Sequence, residues 1–293
     1  LGLSESAGVV LAGGVSKRFG SDKAMALVAG EPIVRRVSRA LHEAVGEVYL
    51  SVKTGERGTM LMEAARPYVS GFLVDEFQLG PVSGILTAAK QLEAETLLTV
   101  SVDVPLLKPE TLKNLLNHLR DKGAEAASVV WADGNVETLI QAITRKTVVR
   151  YAEKFLGARA LSCRASDLLR AATPLLLVHV SRLTTDPTEF ANINTPGDLE
   201  KPSPHISSKN LVRDSLILRE CSSLFVRAVE QQEHGSHYEA GVSYLTEACS
   251  YMRNGVSRLS AHAFNDSAQM FKQAGMVDWT SLVEQLAELM GKN

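Results

Sequence analysis

From residue 8 to about residue 199, short apolar runs alternate with amphipathic stretches. Residues 8–11 form a continuous apolar run that ends in a glycine turn, the pattern of a strand buried on both faces. Similar runs occur at 48–52, 72–74, 97–102, 127–130, 139–143 and 175–178. Between them, Val34, Val37, Leu41 and Val45 recur at helical spacing, and residues 56–66 read as a helix stopped by Pro67. Strands and helices alternating in this way predict stacked βαβ units, an α/β, Rossmann-like, mostly parallel sheet with flanking helices. Residues 201–208 hold two prolines and three serines without periodicity, a linker composition. Beyond them only helical spacing remains. Ile217, Cys221, Leu224, Phe225 and Ala228 share one face, and Tyr238, Val242, Leu245, Cys249 and Met252 another. After a break at Gly255 come Leu259, Ala263, Met270 and Ala274, and then Asp278 caps a helix carrying Trp279, Val283, Leu286 and Met290. The expected organisation is an α/β domain over 1–200, a linker over 201–210 and a small all-α helical domain over 211–293.

Composition narrows the function classes. A chain of 293 residues has room for about two domains. Hydrophobic residues at 45% and charged residues at 22% are those of a globular protein, and a net charge of -2 gives no basic surface for nucleic acid. No apolar run approaches the roughly 20 residues that span a bilayer, and no export leader opens the chain, so a cytoplasmic protein is expected. Cys163, Cys221 and Cys249 are far apart and lack metal-ligand spacing, which reads as reduced cysteines packed as small hydrophobes. His234, His237 and His262 read as scattered surface side chains.

Candidate chemistry begins where the first strand ends. Adjacent Gly13 and Gly14 let the backbone turn sharply and approach a ligand, with exposed N–H groups suited to phosphate oxygens. Arg18 can fork onto two phosphate oxygens, and Lys23 adds a compact positive charge. Lys23 lies between Asp22 and Ala24, so this is no Walker A loop, and Gly13-Gly14-Val15-Ser16 breaks the dinucleotide fingerprint. The chemistry implied is the handling of a triphosphate. Residues 75–84 follow a strand and open a helix, with glycines that could admit a flat base and Asp75 or backbone carbonyls placed to read its edge. Asp103 stands just past a buried strand, where one carboxylate suffices for Mg²⁺ when phosphates supply other ligands. Alternating Asn192 and Asn194 would put two amides on one side of an extended segment.

The pattern Gly-Gly-x-Ser-x-Arg-x-Gly-x-Asp-Lys over 13–23 resembles the signature loop of the molybdenum cofactor guanylyltransferase-like nucleotidyltransferases, the molybdopterin-guanine dinucleotide biosynthesis protein A type. Gly80-Pro81-Val82-Ser83-Gly84, Asp103-Val104-Pro105 and Asn192-Ile193-Asn194-Thr195-Pro196 follow in the family's order, so the resemblance covers about 8–199. It implies a fold of the nucleotide-diphospho-sugar transferase type and Mg²⁺-dependent transfer of GMP from GTP to a phosphate-bearing acceptor, molybdopterin. By that resemblance Leu11, Ala12, Gly13, Gly14, Ser16, Arg18 and Lys23 hold the nucleotide, with Asp75, Gly80 and Gly84 near base and ribose. Arg18, Lys23 and Asp103 would be catalytic, Asp103 the metal ligand, and Asn192 and Asn194 the acceptor side. Two departures stand out: Val102 precedes the metal Asp where the family usually has Cys or Ser, and Glu137-Thr138-Leu139 replaces a frequent Pro-Leu pair near the acceptor. Transfer of CMP to the same cofactor, a sugar-phosphate acceptor and a non-catalytic nucleotide-binding module are the alternatives. Leu11-Ala12-Gly13-Gly14 favours the guanylyl type, because cytidylyl relatives more often carry Ala-Ala-Gly there. The helical segment is an appendage that the family generally lacks, expected to serve homo-oligomerisation or docking of a protein partner.

Overall fold

A computed structural model describes residues 5–14, 22–77, 79–159, 163–195, 197–198, 205 and 207–291. Its first strand, β1 (Ser6–Leu11), is buried at every position, as a central strand covered on both faces must be. The chain then forms a small hairpin, β2 (Leu27–Val28) and β3 (Glu31–Pro32), before α1 (Ile33–Val45), β4 (Val48–Val52), α2 (Gly55–Ala65) and β5 (Gly71–Val74). Next come α3 (Pro81–Gln91), β6 (Thr96–Ser101), α4 (Pro109–Asp121), β7 (Ala126–Val130), β8 (Val136–Thr144), α5 (Arg145–Arg159), α6 (Ala165–Arg170) and β9 (Leu175–His179). The main sheet is 8-stranded in the order β10-β9-β7-β8-β6-β1-β4-β5, where β10 is Leu216–Leu218. β1 is parallel to both β4 and β6, β4 to β5, and β7 to β9, while β8 and β10 run against their neighbours. From β1 the chain steps outward to β4 and β5, and α3 then carries it back across to β6 on the other side. That reversal leaves a crevice at the carboxyl ends of β1 and β6.

Alternate residues of β1 feed two cores. Val10 packs with Val34, Leu41 and Leu116 among the side chains of α1, α2 and α4. Val9 and Leu11 pack on the opposite face with Val82 and Ile85 of α3 and Tyr151 of α5. The second core does not stop at 201–210. It continues into Phe225 of α7 (Cys221–Glu233), Tyr244 and Tyr251 of α8 (His237–Arg253) and Leu259 of α9 (Ser257–Gln273). Last comes α10 (Val277–Gly291), which packs on α9 through a smaller cluster around Phe264, Phe271 and Val283. Among the described residues no helix is long and apolar enough to cross a membrane.

Three local readings differ from expectation. Ile217 belongs to β10, because Leu216 and Leu218 pair with Leu177 and Leu175 at the sheet edge before any helix starts. On α8 the buried face carries Ala240, Tyr244, Glu247, Ala248 and Tyr251, while Tyr238, Val242 and Met252 are exposed. Glu247 turns inward on that face to meet the buried Arg170, while Leu245 and Cys249 pack half-buried on the smaller cluster. His262 is not a surface residue: it is half-buried, its Nδ1 lies 2.8 Å from Ser166 Oγ, and burial pushes its pKa down to about 4.

Candidate functional site

The chain stays in sheet geometry through Ala12, whose N–H donates to Ser51 O at 2.9 Å. Gly13 and Gly14 then leave the sheet. A Cβ on Gly13 would meet only the Lys53 stem at 3.8 Å, and one on Gly14 nothing within 4 Å, so the space over both glycines is open. Residues 15–21, with Ser16 and Arg18, lie outside the described residues. Where the chain resumes, Asp22 caps a tight turn (Lys23–Met25) by accepting the Ala24 N–H at 3.1 Å. Arg57, from the first turn of α2, holds that carboxylate at 2.5 Å. With the turn fixed, Lys23 Nζ donates to Asp103 Oδ2 at 3.2 Å and to Asn194 Oδ1 at 3.1 Å. Three expected site residues, 80 and 171 positions apart in sequence, therefore meet at one ammonium.

Asp103 stands two residues past β6, after Val102 N–H has donated to Leu11 O at 3.2 Å. Its own carbonyl accepts the Ile193 N–H at 2.8 Å, which draws residues 192–194 alongside. Ile193 is buried, and Asn192 and Asn194 on either side of it are exposed, as the alternation predicts. Asp198 accepts the N–H groups of Asn194 and Thr195, both at 2.7 Å, and these donors hold its carboxyl below the usual range. The facing wall is built by residues 75–84. Asp75 Oδ1 accepts the Phe77 N–H at 3.0 Å, and Ser83 Oγ accepts the Leu79 N–H at 3.0 Å. Gly80 enters α3 with φ of 79° and ψ of -156°, a conformation open essentially to glycine alone. One turn on, a Cβ on Gly84 would lie 2.2 Å from Ser51 Oγ, so only glycine lets α3 sit this close to β4.

These walls enclose a cleft of about 320 Å³. Of the expected residues, Leu11, Gly13, Gly14, Lys23, Asp75, Gly80, Gly84 and Asp103 line it, and Ala12 is buried beneath. Two cations on its lining, Lys53 and Arg57, were not expected. The only sequence cue to them is their place just after a strand, at the carboxyl end where ligands bind. A second cavity of about 200 Å³ shares Ser101, Asp103 and Leu139 with the first. Asn192 lines it, together with Asn135, Glu137, Thr138, His205 and Arg258. Glu137 Oε1 accepts the Trp131 Nε1–H at 2.7 Å, and burial pushes its carboxyl above the usual range. Among the described residues no group of three or more His, Cys, Asp or Glu side chains is placed to hold a metal ion. Asp103 is thus a single hard carboxylate at the junction of two cavities.

A relative from Bacillus subtilis, named a probable molybdenum cofactor guanylyltransferase, is 33% identical over 191 residues, which cover 65% of this chain and 90% of the relative. The molybdenum cofactor guanylyltransferase of Shewanella sediminis is 27% identical over 68% of this chain and 96% of its own length. Among solved structures, molybdopterin-guanine dinucleotide biosynthesis protein A from Archaeoglobus fulgidus matches with a TM-score of 0.55 at 19% identity, over 67% of this chain and 95% of that one. A CMP:2-keto-3-deoxy-manno-octonic acid synthetase complexed with CTP matches with a TM-score of 0.51 at 18% identity, over 68% and 96%. Both share the fold. The model of the MobA-like NTP transferase domain matches residues 8–174, more than half of the chain, and the chain belongs to that family.

Proposed function

We propose that this protein transfers GMP from GTP to the phosphate of molybdopterin and releases pyrophosphate. The observation that carries the reading is the meeting of Lys23 with Asp103 and Asn194 at the mouth of a glycine-walled cleft, in a chain whose relatives are named for this reaction. A phosphate oxygen of the acceptor attacks the α-phosphorus, and the bond from that phosphorus to the bridging oxygen breaks with its electrons leaving on pyrophosphate. The nucleophile is already anionic at neutral pH, so no side-chain base is needed, and catalysis rests on positioning and charge stabilisation. Gly13 and Gly14 give the triphosphate close backbone approach. Lys23, Lys53 and Arg57 line the cleft with positive charge, and Arg18 belongs to the same loop in sequence. Asp103 suits Mg²⁺ as one hard oxygen ligand beside phosphates that supply others. Bound there, the metal would stabilise charge on the transferring phosphoryl group. Asp75 and the Gly80 turn would face the base, and Asn192 and Asn194 the acceptor.

Base identity decides the reading. Calorimetric titration with GTP, CTP, UTP and ATP in Mg²⁺, paired with pyrophosphate release on adding molybdopterin, is expected to rank GTP first and give GTP-dependent release. Preference for CTP would replace guanylyl with cytidylyl transfer, and triphosphate binding without acceptor-dependent release would leave a binding module.

A further inference from the structure

We infer that the C-terminal helices complete the acceptor half of the site, with Arg258 of α9 gripping the anionic group of the incoming acceptor. This rests on the nucleotidyl-transfer reading above. The second cavity meets the nucleotide cleft at Ser101, Asp103 and Leu139, so an acceptor seated there would present its phosphate beside Asp103. In the α/β part Asp103 and Glu137 both line that cavity, and Lys23 offsets only the first of them. Arg258 supplies the opposite charge. The segment matched by the family model ends at residue 174, so this arginine is an addition to the shared fold.

Its position is fixed by backbone contact. The start of α9 docks on the turn between β7 and β8, where Ser257 Oγ donates to Asp133 O at 3.0 Å and the Arg258 N–H to Gly134 O at 3.3 Å. Gly134 has φ of 81°, and a Cβ there would fall 1.8 Å from Gly255 O. Helix and turn therefore touch backbone to backbone at Gly134. From that seat Arg258 Nη1 donates to Asn135 Oδ1 at 3.0 Å, which orients the guanidinium on the cavity wall and leaves further donors of its fork for a ligand. His205 closes the next stretch of wall: its Nε2 is 2.6 Å from Asp133 Oδ2, and its ring packs edge-on to Trp131 at 5.1 Å. Trp131 in turn bonds Glu137. The cavity thus offers a guanidinium for an anion and a carboxylate for an N–H edge. It fits a phosphate-bearing molecule whose ring carries hydrogen-bond donors.

The test uses the full chain with Trp279→Phe, which leaves Trp131 as the sole reporter of the chain's 2 tryptophans. Molybdopterin is titrated against Trp131 fluorescence without nucleotide, and pyrophosphate release is measured separately with GTP. Arg258→Ala is expected to raise the acceptor Kd and KM about tenfold or more, with GTP affinity unchanged and Arg258→Lys partly restoring the acceptor. An acceptor Kd in Arg258→Ala equal to that of the parent overturns the inference, as does a parent that binds no acceptor. Acceptor binding that needs Arg258 without pyrophosphate release would sustain the inference and sink the transfer reading. Release with an acceptor KM indifferent to Arg258 would do the reverse.

Discussion

At the scale of single residues, Lys23 and Asp103 neutralise each other across 3.2 Å, and neither is idle. On the proposed reading, a triphosphate entering the cleft would offer Lys23 stronger charge-assisted bonds than one carboxylate does, and taking them would free Asp103 for a metal ligand's role. The two should therefore fail differently. Lys23→Ala is expected to weaken GTP binding roughly tenfold to a hundredfold, the loss of about 1.5–3 kcal/mol for a charge-assisted contact. Asp103→Ala should cut Mg²⁺-dependent turnover roughly a thousandfold while GTP still binds. Titration calorimetry and pyrophosphate release read the two quantities, and near-normal turnover in Asp103→Ala would remove its metal role. That Gly13, Gly14 and Asp103 border the cleft was legible because each follows a strand, and the nearness of Lys23 and Asn194 to Asp103 followed only from the patterns over 13–23 and 192–196. Lys53, Arg57 and Arg258 were not legible. They look like ordinary surface charges until the fold sets Arg57 on Asp22 and Arg258 beside Asn135.

At the scale of elements, the parallel strands could be read from their continuous apolar runs, because burial on both faces leaves no polar alternation. The reversed β8 could not, since a buried antiparallel strand shows the same run. Helix α8 was read on one apolar face, of which Leu245 and Cys249 do pack on a core cluster, but its most buried face includes Glu247, which does not register as core in a count of apolar positions. The fit of α3 against β4 turns on Gly84, which the sequence reading placed near base and ribose instead, and it sets a stability prediction. Gly84→Ala would drive a methyl into Ser51, whose Oγ lies 2.2 Å from the Cβ position and whose strand is buried. Overpacking of this kind costs about 1–3 kcal/mol, to be read as a lower urea midpoint, and an unchanged midpoint would mean that the helix simply slides. A second prediction concerns α9 against α6. Burial, reinforced by the charges of Arg164, Arg170 and Arg258 and opposed by Asp167, lowers the His262 pKa from 6.5 to about 4. A depressed pKa means that the neutral ring is the folded form. This contribution is complete above pH 6.5 and is lost as pH falls toward about 4. The shift corresponds to on the order of 3 kcal/mol. His262→Gln should flatten the stability profile in that window relative to the unsubstituted protein, and parallel profiles would place the acid sensitivity elsewhere.

At the scale of the whole molecule, the helical segment is tied to the α/β part by a buried charge cluster. Arg170 is fully buried at the end of α6, and its Nε and Nη2 donate to the Glu247 carboxylate at 2.8 and 2.6 Å. Its Nη1 donates to Asp266 at 2.6 Å and to Asp167 at 3.1 Å, while its plane stacks over Phe225 at 4.6 Å. Asp167 lies on the same short helix, but Glu247 and Asp266 come from α8 and α9. Composition at 201–208 reads as a linker, and nothing in that stretch signals that the chain beyond it supplies an edge strand and two of three counter-ions. A chain ending at Lys201 would leave Arg170 with one carboxylate and uncover Phe155, which packs edge-on to Phe225 at 6.1 Å. Removing α7, α8 and α9 also takes the cover off Arg170, so the loss lies in the apolar face that they bury, about 1.5–3 kcal/mol for each large side chain exposed, against about 5–15 kcal/mol for a whole domain. The shortened chain is therefore expected to lose cooperative unfolding and to aggregate. In the full chain, Arg170→Met keeps much of the volume but leaves Asp167, Glu247 and Asp266 buried together without their shared cation. It should lower the thermal midpoint by well over ten degrees, or else force protonation of the cluster so that stability recovers on acidification. Cooperative melting of the shortened chain, with a midpoint close to that of the full protein, would show that the α/β part stands alone and that the cluster serves only to dock the helices.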